Sequence, residues 1–107
     1  MSYKKVTAIF RFELLDKVEK KLQELGVKGL SVSKVKGYGE YADFYAKDWL
    51  TTHARIELFL EKEDAEITAK AIMDAASLNM EGDGIVAILP VEKLYQIRTK
   101  TELNDEC

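Results

Sequence analysis

Cysteine, proline and histidine each occur once in this chain, and each scarcity closes off a class of explanation. The lone cysteine, Cys107, ends the sequence, so no internal disulfide can staple the fold. Neither a second thiol nor a histidine stands at metal-finger spacing from it. It reads as an inert terminal thiol, with a redox or intermolecular disulfide role as the alternative. A single proline, 47% apolar residues and 33% charged residues describe a chain that buries a core, which excludes intrinsic disorder. An excess of one charge is also lacking. Sixteen Lys and Arg against 19 Asp and Glu leave a net charge of −3 with no basic block, which argues against nucleic acids and anionic surfaces as partners. No apolar run approaches the roughly 20 residues that span a bilayer. Met1-Ser2-Tyr3-Lys4-Lys5 leads directly into an alternating segment and not into the apolar stretch of a signal peptide. The expectation is a cytoplasmic protein without membrane insertion, folded as a single domain over residues 1–107.

Periodicity supplies the elements. Val6, Ala8 and Phe10 alternate with Thr7, Ile9 and Arg11, the pattern of a half-buried strand. From Leu14 the spacing changes: Leu14, Leu15, Val18, Leu22 and Leu25 form a helical stripe opposite Asp16, Lys17, Glu19, Lys20 and Lys21, and Gly26 stops it. Leu30 and Val32, then Ala54 to Leu60, read as the second and third strands. Glu61 to Asp64 place acidic residues at the start of a second helix whose apolar positions are Ile67, Ala71, Ile72 and Ala75. Asn79 and Gly82-Asp83-Gly84 make a turn, Ile85 to Leu89 reads as a fully buried strand, Pro90 interrupts it, and Leu94 to Ile97 continues as a short edge strand. An acidic tail of about 100–107 is expected to fray. The order βαββαβ predicts an α+β, ferredoxin-like sandwich: an antiparallel sheet with two helices on one face. Its other face carries Thr7, Ile9 and Phe59, apolar enough for subunit packing.

The segment of about 37–52 is longer than the usual connection and is expected to be a flexible, functional loop. It holds Tyr38, Tyr41, Phe44, Tyr45 and Trp49, which suit a self-packed loop, a lid or a protein-docking surface. Lys36-Gly37-Tyr38-Gly39 begins like an RNA-recognition motif, but Glu40 stands where an aromatic is wanted, and RNA binding is set aside. Gly82-Asp83-Gly84 offers backbone amides for an anion, without the Lys-Ser/Thr pattern of a P-loop. Arg98, expected at the end of the last strand, offers a fork to a phosphate or is an ordinary surface arginine. His53 begins the third strand opposite Lys36 to Gly39, where it is either a satisfied or surface histidine or an anion contact. One histidine with no recognisable companion argues against a hydrolase, and neither catalytic nor metal-ligating residues are expected.

Six motifs then bear a resemblance. Ala8-Ile9-Phe10-Arg11, Leu25-Gly26-Val27-Lys28-Gly29-Leu30-Ser31-Val32, Val35-Lys36-Gly37-Tyr38-Gly39, Arg55-Ile56-Glu57, Gly82-Asp83-Gly84 and Ile97-Arg98-Thr99 stand in order over residues 5 to 99. Each is weak alone; the ordered set resembles the PII signal-transduction family. The resemblance implies a homotrimer whose inter-subunit clefts bind ATP or ADP and whose long loop controls a target protein such as a transporter, enzyme or regulator. By position, Ile9, Gly37, Tyr38, Gly39 and Phe59 would line one side of the adenosine pocket. Gly29, Leu30, Ser31 and Glu57 would approach from the neighbouring subunit, and Gly82, Asp83, Gly84 and Arg98 would meet the phosphates.

The departures change the expected ligand. Ile85 stands where the family carries a lysine after Gly-Asp-Gly, Gln96 replaces one of two closely spaced arginines, and Glu40 replaces a basic residue in the loop. Three missing cations penalise a triphosphate most, so ADP or AMP is expected in preference to ATP. Tyr41 replaces the glutamine that helps hold magnesium and 2-oxoglutarate, and His53 the lysine at the loop's return. The shorter loop also lacks a clear counterpart of the modified tyrosine. Trimmed-loop relatives include carboxysome-associated PII-like proteins, which would imply bicarbonate as a second ligand and inorganic carbon as the sensed resource. Gly39, His53 and Arg55 would hold that anion, and Tyr41, Phe44, Tyr45 and Trp49 would meet the partner. The alternatives are the nitrogen-regulatory form sensing ATP and 2-oxoglutarate, and a trimeric adaptor independent of nucleotide.

Overall fold

Alternation in the first segment becomes strand β1, Tyr3–Arg11, where Val6, Ala8 and Phe10 are buried and Thr7 and Ile9 on the other face are half-buried. The computed structural model describes residues 2–37 and 51–103. A 3-10 turn, Phe12–Leu14, leads into helix α1, Leu15–Glu24. Strand β2, Ser31–Gly37, and strand β3, Thr51–Glu61, precede helix α2, Lys62–Ala76. Strand β4, Gly84–Pro90, follows, and then strands β5, Tyr95–Gln96, and β6, Thr101–Glu102. The four-stranded sheet has the order β2-β3-β1-β4 with every neighbouring pair antiparallel. This is the α+β, ferredoxin-like arrangement that the alternation of periods predicts.

The core forms between the helices and one sheet face. Val6, Ala8, Phe10, Ala54, Ile56 and Leu58 from the sheet pack with Val18 and Leu22 of α1 and Ile72 of α2. Helix α2 presents Ala65, Ala69, Ala71, Ala75 and Ala76 as buried positions, small side chains that let the helix lie close to its neighbours. Its expected apolar stripe is rotated, because Thr68 is buried and Ile67 is 60% exposed. Ala65, Thr68, Ile72, Ala75 and Ala76 keep the helical spacing, and Ile67 falls about 100° away from Thr68.

Helix α1 ends by a Schellman arrangement. The Gly26 amide donates to the Gln23 carbonyl at 3.0 Å, and the Val27 amide donates to the Leu22 carbonyl at 3.0 Å. Gly26 takes φ +90, which a side chain would resist. Leu25, expected in the helical stripe, is instead exposed at the helix end.

Two further expectations need correction. Strand β4 is half-buried at best, because the helices cover one sheet face only: Val86 and Ile88 pack on the core, while Ile85, Ala87 and Leu89 stand in register with Ile9, Thr7 and Lys5 on the other face. The segment around Leu94 to Ile97 does not extend the main sheet. Tyr95 pairs with Glu102 and Gln96 with Thr101 in a separate two-stranded ribbon, so Glu102, expected to be frayed, is paired.

Candidate ligand-binding site

The sheet face opposite the helices is built in cross-strand rows. One row joins Ser31, Glu57, Thr7 and Ala87, and the next joins Ser33, Arg55, Ile9 and Ile85. Alternation puts Phe59 on this face as well, with half its surface exposed. Lys5 Nζ lies 3.4 Å from Glu57 Oε2, and Arg55 Nε lies 4.0 Å from the same oxygen, so Glu57 sits between two cations.

Two groups of candidate residues lie at the two ends of the sheet, each in a hollow that α2 also lines. Beyond Glu57, a hollow of about 570 Å³ is lined by Gly29, Lys28, Phe59, Ile67 and Tyr3 with the carboxylates of Glu61 and Asp64. A Cβ on Gly29 would meet nothing within 4 Å. Leu30 turns its side chain to the core. Phe59 therefore keeps company with Gly29 in one protomer, not with Ile9 as the resemblance suggested, because it stands opposite Lys5 on β1, four residues before Ile9.

At the other end, Ile9, Asp83, Gly84 and Ile85 line a second hollow of about 230 Å³ with Met73 and Ala76. Gly37 lies at this end through its pairing with Thr51. Gly84 takes φ +113, and a Cβ there would fall 1.9 Å from the carbonyl oxygen of Ile9. Gly82 takes φ +90. The Asp83 carboxylate faces into its own turn, where Oδ2 accepts from the amides of Leu78 at 3.0 Å and Met80 at 3.3 Å. Arg11 donates to its Oδ1 and, at 2.8 Å, to the carbonyl of Glu81. Partial burial alone would raise the Asp83 pKa. The hydrogen bonds from Arg11, Met80 and Leu78 and the Arg11 charge outweigh it and hold the carboxyl below its ordinary value. What this turn presents to a ligand is therefore backbone.

Arg98 is not at a strand end. It lies exposed in the turn between β5 and β6, next to Ile97, which is 91% exposed. His53 is buried, 2% exposed, and pairs in register with Val35 and Arg11, one residue short of the expected segment, Lys36 to Gly39. Arg55 is exposed two residues further along the strand. Tyr38, Gly39, Tyr41, Phe44, Tyr45 and Trp49 lie outside the described residues, as does Cys107. Among the described residues no group of three or more His, Cys, Asp or Glu could hold a metal ion, and no helix is long and apolar enough to cross a membrane.

Sequence reasoning missed Arg11 as the partner of Asp83. Nothing local signals a contact across 72 residues; it becomes visible only once β1 and β4 are paired with Phe10 opposite Gly84.

Comparison with known proteins interprets this geometry. The model of the family "Nitrogen regulatory protein P-II" matches residues 3–101. The chain belongs to the P-II family. Nitrogen regulatory protein P-II of Cereibacter sphaeroides is 38% identical over 104 residues, covering 90% of this chain and 92% of the relative. Nitrogen regulatory protein P-II 1 of Methanothermobacter thermautotrophicus is 34% identical, covering 90% of each chain. The crystal structure of Arabidopsis thaliana PII bound to citrate superposes with a TM-score of 0.80 at 29% identity, covering 94% of this chain and 88% of that one. P-II proteins are regulatory signal transducers and not enzymes. They are trimers that act on target proteins, and the family binds nucleotides and small effectors.

Proposed function

We propose that this P-II protein is a cytoplasmic homotrimer that binds an adenine nucleotide, ADP or AMP in preference to ATP, in clefts between subunits. A small anion such as bicarbonate binds beside it, and the loop of about 37–52 reports the bound state to a target protein. Residues 1–107 act as one domain. The resource reported would be inorganic carbon, as the likeness to the carboxysome-associated branch implies.

The observation that carries the cleft is the division of its residues between the two ends of the sheet. Gly84 stands opposite Phe10 and Phe59 opposite Lys5. Five residues of extended strand separate them, about 17 Å. Each group lines a hollow open to solvent that a second surface would close, and the half-apolar sheet face left uncovered by the helices suits a second copy. The nucleotide preference is supported by charge. Arg11 is committed to Asp83 and the Glu81 carbonyl, and Ile85 rather than a cation follows the turn, so the turn itself would hold a polyphosphate by backbone, with Arg98 left as the side-chain cation.

Titration calorimetry with AMP, ADP and ATP, each with and without bicarbonate or 2-oxoglutarate, tests this. ADP and AMP should bind more tightly than ATP, and bicarbonate should change their affinity. Tight magnesium-dependent binding of 2-oxoglutarate would restore the nitrogen-sensing form, and no nucleotide binding at all would leave the adaptor. Light scattering should give three times the 12.2 kDa of the chain.

A further inference from the structure

Arg11 closes β1, and its side chain leaves the sheet for a turn 72 residues further along the chain. There Nη1 donates to Asp83 Oδ1 and Nη2 donates to the Glu81 carbonyl at 2.8 Å. The other carboxylate oxygen of Asp83 accepts from the Leu78 amide at 3.0 Å, the Met80 amide at 3.3 Å and Ser77 Oγ at 3.3 Å. Asp83 thus gathers the amides of one limb of the turn, and Arg11 anchors the assembly to the sheet. With side chains 11% and 23% exposed, the pair is shielded, unlike the exposed ion pairs that contribute little. The turn needs holding, since Asn79 at φ +59 and Gly82 at φ +90 both take left-handed backbone. Two residues before Arg11, the Ile9 carbonyl lies directly against Gly84. The last three residues of β1 therefore grip the turn at two points.

We propose that Arg11, acting through Asp83, is the positioning residue of the turn 77–84, holding the backbone of Gly82 and Gly84 in the arrangement that receives the phosphates of the nucleotide. Asp83 shapes the turn and does not touch the ligand. This rests on the nucleotide reading above.

The test compares ADP and adenosine binding to the wild-type protein and to Arg11→Met, Arg11→Lys and Asp83→Asn. Arg11→Met and Asp83→Asn should each weaken ADP binding roughly ten- to a hundredfold, the span set by losing a charge-assisted hydrogen bond. Adenosine binding should be unchanged, and Arg11→Lys should recover part of the ADP affinity. The double variant should be no worse than either single one, because both remove the same contact. Equal losses for ADP and adenosine would make Arg11 merely structural and overturn the proposal, as would ADP affinity unchanged in Arg11→Met. Hydrogen exchange is the second measurement: faster exchange of the Leu78 and Met80 amides in Arg11→Met is expected, and unchanged exchange also overturns it. A wild-type protein that binds no ADP would instead remove the nucleotide reading, and this inference with it.

Discussion

Replacing Gly84 by alanine should destabilise the protein far more than a single methyl group normally does. The new Cβ would lie 1.9 Å from the Ile9 carbonyl oxygen, 2.9 Å from the Ile9 carbonyl carbon and 3.0 Å from Phe10 Cα. All three are backbone atoms of β1, so no side-chain rotation relieves the overlap. The φ of +113 adds strain of about 1–3 kcal/mol for a residue with a Cβ. Relief requires the first residues of β4 to lift from β1, which breaks the Phe10–Gly84 pairing at a net cost of about 1 kcal/mol. Lifting also exposes part of Val86, which packs on the core, for about another 1–2 kcal/mol. The stiffer unfolded chain returns about 0.4–1 kcal/mol. A net loss of about 2–6 kcal/mol follows, or a fall in Tm of about 8 °C or more for a domain of this size. The control is Gly29→Ala, whose Cβ enters open space; its stability should stay within about 0.5 kcal/mol of wild type. Urea unfolding followed by circular dichroism at one fixed protein concentration measures both, since oligomers unfold concentration-dependently. A Gly84→Ala protein within about 1 kcal/mol of wild type would refute the close approach of β1 and β4 on which this estimate rests.

The other expectations concern charge and packing. Asp83 has a lowered folded pKa, so its contribution to stability is complete above the unfolded value of about 3.9 and is lost as pH falls through the folded one. Asp83→Asn should therefore lower the urea midpoint at pH 7 and approach wild type in acid; a difference independent of pH would contradict the Arg11 contact. Arg98→Ala should weaken ADP binding by about 1.5–3 kcal/mol, measured by calorimetry, if its exposed guanidinium meets a phosphate. Ile85→Lys restores a cation beside the turn and should raise the affinity for ATP more than that for ADP. An unchanged ATP-to-ADP ratio would show that charge at this position does not set the preference. Ile72→Ala, at a fully buried position, should cost about 2–5 kcal/mol in the same unfolding assay.

How much of this was legible in the sequence depends on whether the cause was local. The alternation of Val6, Ala8 and Phe10 and the spacing of Val18 and Leu22 are consequences of packing on one side, and both segments fold as their periods predict. Gly26 stops α1 where expected because a helix end needs a left-handed residue at that point. Arg98 could not be placed, because Tyr95 and Gln96 pair with Glu102 and Thr101 in a ribbon of their own rather than with the main sheet. The Arg11–Asp83 contact could not be read at all, since it depends on the register between β1 and β4.

Strand β4 shows most clearly what a local pattern leaves open. Ile85 to Leu89 is apolar without alternation, and such a run signals burial on both faces. Within the protomer only Val86 and Ile88 reach the core, and Ile85, Ala87 and Leu89 join Ile9 and Phe59 on the open face. A continuous apolar strand at a sheet edge wants a second cover that the helices of its own chain do not supply. The proposed trimer would provide it, and it would set the Ile9 and Gly84 end of one subunit against the Gly29 and Phe59 end of the next. The cover that β4 lacks and the closing surface that both hollows lack would then be the same neighbouring chain.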